Sequence, residues 1–293
     1  AIESLYDLNS SLLSVSSTTI TGCSQSIHSV HTSNKIVNFL NNSIINEDAN
    51  EGSRGLFVDT IADVNINECT FINCNNPKGN NNAGGAITYL NSKANPTESI
   101  TISNTEFTGC IYRSGAIFIQ ARLEIPQFTN VVISNSTCGY SIIILIPEIP
   151  ENTYPYSRCI LDNVSFINII NEENAGGGIG FWLQPDNSKA SYYGLYFTNC
   201  LFRNTSWTGR NFDNYGGGAI SIESKSCQNF DVSINYCSFY QTSVLNSCHG
   251  GAIAIVTNKM ASVNNIYIED CSSVGSTMTR NGGAIYVYQN GYK

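Results

Sequence analysis

Gly217-Gly218-Ala219-Ile220-Ser221-Ile222 decides the fold, because the chain keeps returning to it. Gly84-Gly85-Ala86-Ile87, Gly250-Gly251-Ala252-Ile253 and Gly282-Gly283-Ala284-Ile285 are near-identical copies. Ser114-Gly115-Ala116-Ile117 and Gly176-Gly177-Gly178-Ile179 are close variants, and Gly55-Leu56-Phe57-Val58 is a degenerate one. Most copies follow one another at intervals of roughly 30 residues, which marks a stacked repeat architecture. The interval from Gly115 to Gly177 is twice as long, and Ser141-Ile142-Ile143-Ile144 fits inside it as a worn copy.

The residues after each glycine pair alternate. Ile87 and Tyr89, Ile117 and Ile119, Ile220 and Ile222, Ile253 and Ile255, and Ile285 and Val287 fall on one face. Leu56 and Val58, and Ile179 and Phe181, occupy the same two slots. Period-two alternation with a uniformly apolar side is a strand packed on a core. Each strand is short and its equivalent lies a whole repeat away, so successive copies are expected to stack in parallel. Ahead of the glycines runs a second alternating segment ending at an aromatic: Val64 to Phe71, Ile100 to Phe107, Leu161 to Phe166 and Val232 to Phe239. Helical periodicity is nearly absent. The expected fold is all-β: one right-handed parallel β-helix, a solenoid of about eight or nine coils, its handedness taken from the crossover rule. Residues 1–50 lack the clear motif and are expected to form an N-terminal cap or first coil, with residues 51–293 carrying the repeats. The glycines read as corners, where positive φ and close backbone approach are needed. None has the spacing of a nucleotide-binding turn.

Stacking places equivalent cysteines one strand spacing apart. Cys69, Cys200, Cys237 and Cys271 are read as one register, two residues before a slot held by Phe71, Phe202, Phe239 and Ser273. Cys74 and Cys110 both follow the aromatic by three. That separation suits either disulfides or a ladder of thiols packed as small hydrophobes. The total of 11 is odd, so a monomer keeps at least one thiol.

Charged residues make up 12% of the 293, about half the usual share. Asparagine, at 38 residues, takes much of their place and suits tight turns. A net charge of −8 without a basic stripe argues against nucleic acid as a partner. No apolar run reaches membrane-helix length, so no transmembrane segment is expected in this chain. The cysteines and the sequons at Asn9, Asn41, Asn135, Asn163 and Asn204 point to a secreted or cell-surface protein carrying N-glycans.

The pairing of Gly-Gly-Ala-Ile with an upstream Phe–Asn element resembles the repeat of the chlamydial polymorphic membrane proteins, which carry GGA(I/L/V) and FxxN motifs on a right-handed parallel β-helix. The resemblance covers most of residues 50–293 through short motifs. Here Asn falls second after the aromatic, as in Phe71-Ile72-Asn73, Phe166-Ile167-Asn168 and Phe202-Arg203-Asn204, while Phe107 and Phe239 lack it. The family's C-terminal membrane barrel has no counterpart. The resemblance implies an adhesin-like or surface-coat role.

A search for chemistry finds little. Glycan hydrolysis on such a scaffold needs paired carboxylates, and Glu47-Asp48, Glu172-Glu173 and Glu269-Asp270 read as solvated surface. His28, His31 and His249 give no zinc spacing. No catalytic residue, metal or cofactor is expected. The outward face of the glycine-headed strand carries Phe57, Phe118 and Tyr286 one residue past the first apolar slot, and Trp182 and Tyr288 two further along. Such a low-charge aromatic surface is expected to bind partners. These partners are other proteins, further copies or surface glycans. The expected function is thus a non-enzymatic extracellular module, a surface adhesin or a component of a coat, filament or larger assembly. Its rival is a carbohydrate-active or carbohydrate-binding β-helix. The last copy ends close to Lys293, and an uncapped strand edge tends to associate, so either a longer protein or stacked ends are expected.

Overall fold

The computed structural model describes residues 2–5, 12–22, 25–30, 36–45, 54–59, 63–74, 85–90, 99–112, 116–120, 126–138, 141–146, 156–171, 179–183, 192–208, 217–224, 229–245, 250–257, 261–265, 267–274 and 284–289. Among these, every paired strand is parallel to its neighbour and no helix is present. The chain is a parallel β-solenoid. One sheet is a ladder of ten strands in strict sequence order: Ile2–Leu5, Gln25–Val30, Arg54–Asp59, Ile87–Leu90, Ile117–Gln120, Ile142–Ile146, Ile179–Leu183, Ile220–Ser224, Ile253–Thr257 and Ile285–Gln289. Ten rungs exceed the eight or nine coils expected from the motif. The extra levels come from Ile2–Leu5 and Gln25–Val30, whose sequence shows no glycine pair. At ordinary strand spacing ten rungs span about 43 Å.

The register matches the slots read from the alternation. Leu56, Ile87, Ile117, Ile142, Ile179, Ile220, Ile253 and Ile285 form one column. Its members from Leu56 to Ile253 are fully buried. The worn copy at Ile142 takes its rung between Ile117 and Ile179.

The second sheet bends twice within each coil. At each bend one residue adopts left-handed backbone angles. The first bend holds Ser17, Asn41, Glu68, Asn104, Asn130, Asn163, Asn199, Tyr236 and Asn265. The second, five residues later, holds Gly22, Asn73, Gly109, Asn135, Asn168, Asn204, Gln241 and Asp270. Asparagine tolerates this conformation better than other side-chain-bearing residues, which accounts for much of its abundance. The missing asparagines after Phe107 and Phe239 are explained too, since Gly109 and Gln241 take the corner there. The corner amides also bond along the stack. Asn130 donates through Nδ2 to Asn104 Oδ1 at 3.0 Å, and Asn163 to Asn130 at 2.8 Å. On the second corner Asn168 donates to Asn135, and Asn204 to Asn168, both at 2.9 Å.

Between the two corners an inward phenylalanine fills the core. Ile44, Phe71, Phe107, Ile133, Phe166, Phe202, Phe239 and Ile268 form one column. Phe166 and Phe202 stack with centroids 4.8 Å apart and planes within 5°; Phe202 and Phe239 do so at 4.9 Å and 1°. The ring spacing is therefore the strand spacing.

The glycine-headed turn works chiefly by close approach. The Ala116 carbonyl accepts from both Ala86 and Ile87 N–H, each at 3.0 Å, and Ala252 likewise from Ala219 and Ile220. A Cβ on Gly217 would strike the Ile220 carbonyl and lie 2.6 Å from Ala254 N. Gly250 alone of the described copies has positive φ, at 72°. At Gly217 and Gly218 the crowding of adjacent backbone, not a left-handed angle, excludes a side chain.

The seven cysteines whose side chains are described, Cys69, Cys74, Cys110, Cys159, Cys200, Cys237 and Cys271, are thiols. Cys200 and Cys237 face each other across adjacent coils, since Leu201 pairs with Ser238. Cys74 and Cys110 do the same one column over. Cys271 belongs with the latter column and not with Cys69, Cys200 and Cys237. Phe239 pairs with Ile268 rather than Ser273, which puts Cys271 three places after the aromatic slot, against Thr242 at 2.9 Å. The Cys200 thiol is pushed well up by its hydrogen bond to Cys237 and by burial, while the shared bond lowers Cys237. Burial alone drives Cys159 far up. Native protein at pH 8 is expected to react with a bulky aromatic disulfide reagent at Cys271, which is half-buried, before Cys69, Cys74, Cys110, Cys159, Cys200 or Cys237. Mass mapping of the labelled thiols checks this order. Equal labelling of Cys200 would mean the core is open.

Candidate functional site

The outward columns of the glycine-headed sheet have the register that the sequence implies. Phe57, Thr88, Phe118, Ile143, Gly180, Ser221, Ala254 and Tyr286 form one column. Trp182, Glu223, Val256 and Tyr288 continue the other. A continuous open face does not follow. Thr88, Ala254 and Val256 are each 1% exposed, and Ser221 6%. Phe57 and Tyr286 are half-buried, and the side chains of Phe118, Trp182 and Tyr288 lie outside the described residues. Alternation says which way a side chain points from a strand. It does not say what packs over it, and here that face is covered at four positions.

The second corner offers a different surface. Its strand segments Leu201–Trp207, Ser238–Tyr240 and Tyr267–Glu269 lie in register, and alternation turns Arg203, Tyr240 and Glu269 outward in one column. The corner residues Asn204, Gln241 and Asp270 project beside them because left-handed backbone swings them out of the sheet. Together these six line a groove of about 370 Å³. A neighbouring depression of about 350 Å³, lined by Asn168, Ile170, Asn204, Ser206 and Gln241, shares two of its residues and extends it along the axis.

The groove has internal order. The Arg203 guanidinium lies 5.7 Å from the Tyr240 ring centroid, within reach of a cation–π contact. The opposite neighbour of Tyr240 is Tyr267, with centroids 5.3 Å apart and planes tilted by 46°. Tyr267 donates its hydroxyl to Glu269 Oε2 at 2.9 Å, and that carboxylate holds the phenol protonated by raising its pKa. Tyr240 thus has neighbours on both sides, while Tyr267 is 51% exposed. Glu269 and Asp270 are solvated, as expected from the sequence, but they also form one wall of this groove. The groove went unseen in the sequence because its members come from three coils. Once Tyr240 is paired with Glu269, the diagonal placement of Tyr267 beside both is visible.

The described sequon asparagines all fall on the corners. Asn41 and Asn163 occupy the first and Asn135 and Asn204 the second, all exposed, whereas Asn9 lies outside the described residues. Among the described residues no cluster of histidine, cysteine and carboxylate side chains could hold a metal ion, and no helix is long and apolar enough to cross a membrane. No protein-family model, no curated protein and no solved structure matches this chain.

Proposed function

We propose that this chain is a non-enzymatic β-solenoid module of a secreted or cell-surface protein, acting as an adhesin or as part of a coat, filament or larger surface assembly. The observation that carries the reading is the outward rail at the second corner, where exposed side chains of consecutive coils are held at a fixed spacing by a fully stacked backbone. A rigid row of small contact groups suits multivalent attachment, since repeated weak contacts add through effective concentration. The low charge and the repeat likeness to chlamydial polymorphic membrane proteins point the same way. Glycans on Asn41, Asn135 or Asn163 would stand on the two corner rails. An antibody raised against the folded chain is expected to label intact, unpermeabilised source cells or their shed material. Labelling confined to the interior of permeabilised cells would overturn the proposal.

A further inference from the structure

The groove along the second corner has a chemistry of its own, and we infer that it binds a linear, uncharged oligosaccharide. This inference rests on the surface-contact reading and names what the contact recognises. The groove runs past four successive corner residues, Asn168, Asn204, Gln241 and Asp270. Three strand spacings make about 14 Å, room for a short extended chain. Donors and acceptors both line it. Asn204 spends its Nδ2 on Asn168 and keeps Oδ1 as an acceptor; Gln241 brings both halves of its amide and Ser206 a hydroxyl. Glu269 keeps one carboxylate oxygen beyond its bond to Tyr267. Pairs of donors and acceptors at close spacing match vicinal hydroxyls, each of which both gives and takes a hydrogen bond.

Apolar surface is present where a ring needs it. Tyr267, 51% exposed, packs against the groove's Tyr240 and Glu269, and Ile170 is 44% exposed at the far end. A few placed polar groups around exposed apolar surface is the usual make-up of a small-ligand site. The charges select against other classes. Two carboxylates and a net charge of −8 repel phosphate, sulfate and uronate chains, while Arg203, the cation among the lining residues, sits over Tyr240. A peptide that adds as a strand needs unpaired backbone. The corner backbone is engaged within the stack, as where Gln241 N–H bonds Glu269 O at 2.9 Å.

Isothermal titration of the whole chain with chitotetraose, cellotetraose and mannotetraose tests the inference. At least one is expected to bind saturably. Tyr267→Ala is expected to weaken that binding at least tenfold. Gln241→Asn, which keeps a residue suited to the left-handed corner but shortens its reach, is expected to weaken it several-fold. Tyr267 is a surface residue, so its variant should melt with the parent. Saturable binding unchanged in both Tyr267→Ala and Gln241→Asn would move the site elsewhere and overturn the inference, as would a chain that binds none of the three sugars. Surface labelling by antibody is a separate readout. A labelled surface with no sugar binding removes the oligosaccharide and leaves the contact module standing.

Discussion

Phe202→Ala is expected to lose about 3–5 kcal/mol of stability, the range for removing a buried aromatic from a well-packed core. Phe202 is fully buried and lies between Phe166 and Phe239, parallel to both rings. Its loss leaves a void that Phe166 and Phe239 cannot close. Each is held to its own coil, and coil separation is set by the backbone hydrogen bonds between rungs. Each lost ring pair adds about 0.5–1.5 kcal/mol to the burial loss. The column itself supplies a milder control. Ile44, Ile133 and Ile268 occupy the same slot on other coils, so Phe202→Ile, which keeps most of the buried volume, should cost clearly less than Phe202→Ala. Urea unfolding of the three proteins measures the series. An alanine variant within 1 kcal/mol of the parent would mean that the ring stack does not hold the coils.

Gly218→Ala is expected to be as damaging from one methyl group. The added Cβ would strike the Gly251 carbonyl and lie 2.7 Å from both Ser243 N and Ser243 O. All three are backbone atoms of neighbouring segments, so no side chain can swing aside. The coils must part locally, and overpacking of this kind costs about 3 kcal/mol or more. Gly22→Ala gives the contrast. Gly22 has φ of +62° but nothing within 4 Å of its would-be Cβ, so only the left-handed penalty of about 1–2 kcal/mol applies. Comparing urea midpoints of the two variants separates crowding from conformational strain. Equal shifts would refute the close-approach account of the Gly-Gly-Ala-Ile turn.

The isoleucine and phenylalanine columns were legible because burial on both slots leaves a period-two trace that no other structure produces. Ile142 was placed on its rung even without glycines, since the spacing alone required a strand there. The corners were half legible. Asparagine two places after phenylalanine marks them, but Glu68, Tyr236 and Gln241 adopt the same left-handed angle without a preference for it, because the rungs above and below fix their backbone. Cys271 was misplaced for a related reason. In the last described coil the aromatic slot holds Ile268, and matching by residue type slid the register toward Ser273. The cover over Thr88, Ala254 and Val256 left no trace at all, since packing over a face is not periodic along the strand that bears it. The groove was hidden differently: Arg203, Tyr240 and Glu269 are far apart in the chain, and only the register unites them.

The corner amide rails and the rungs point along one direction, the direction in which coils pile up. Tugging the two ends apart therefore strains these bonds in series, one interface at a time, and the weakest gives first. Force applied sideways, across a flank, must shear many interfaces at once. A rod built this way resists being scraped far better than being drawn out.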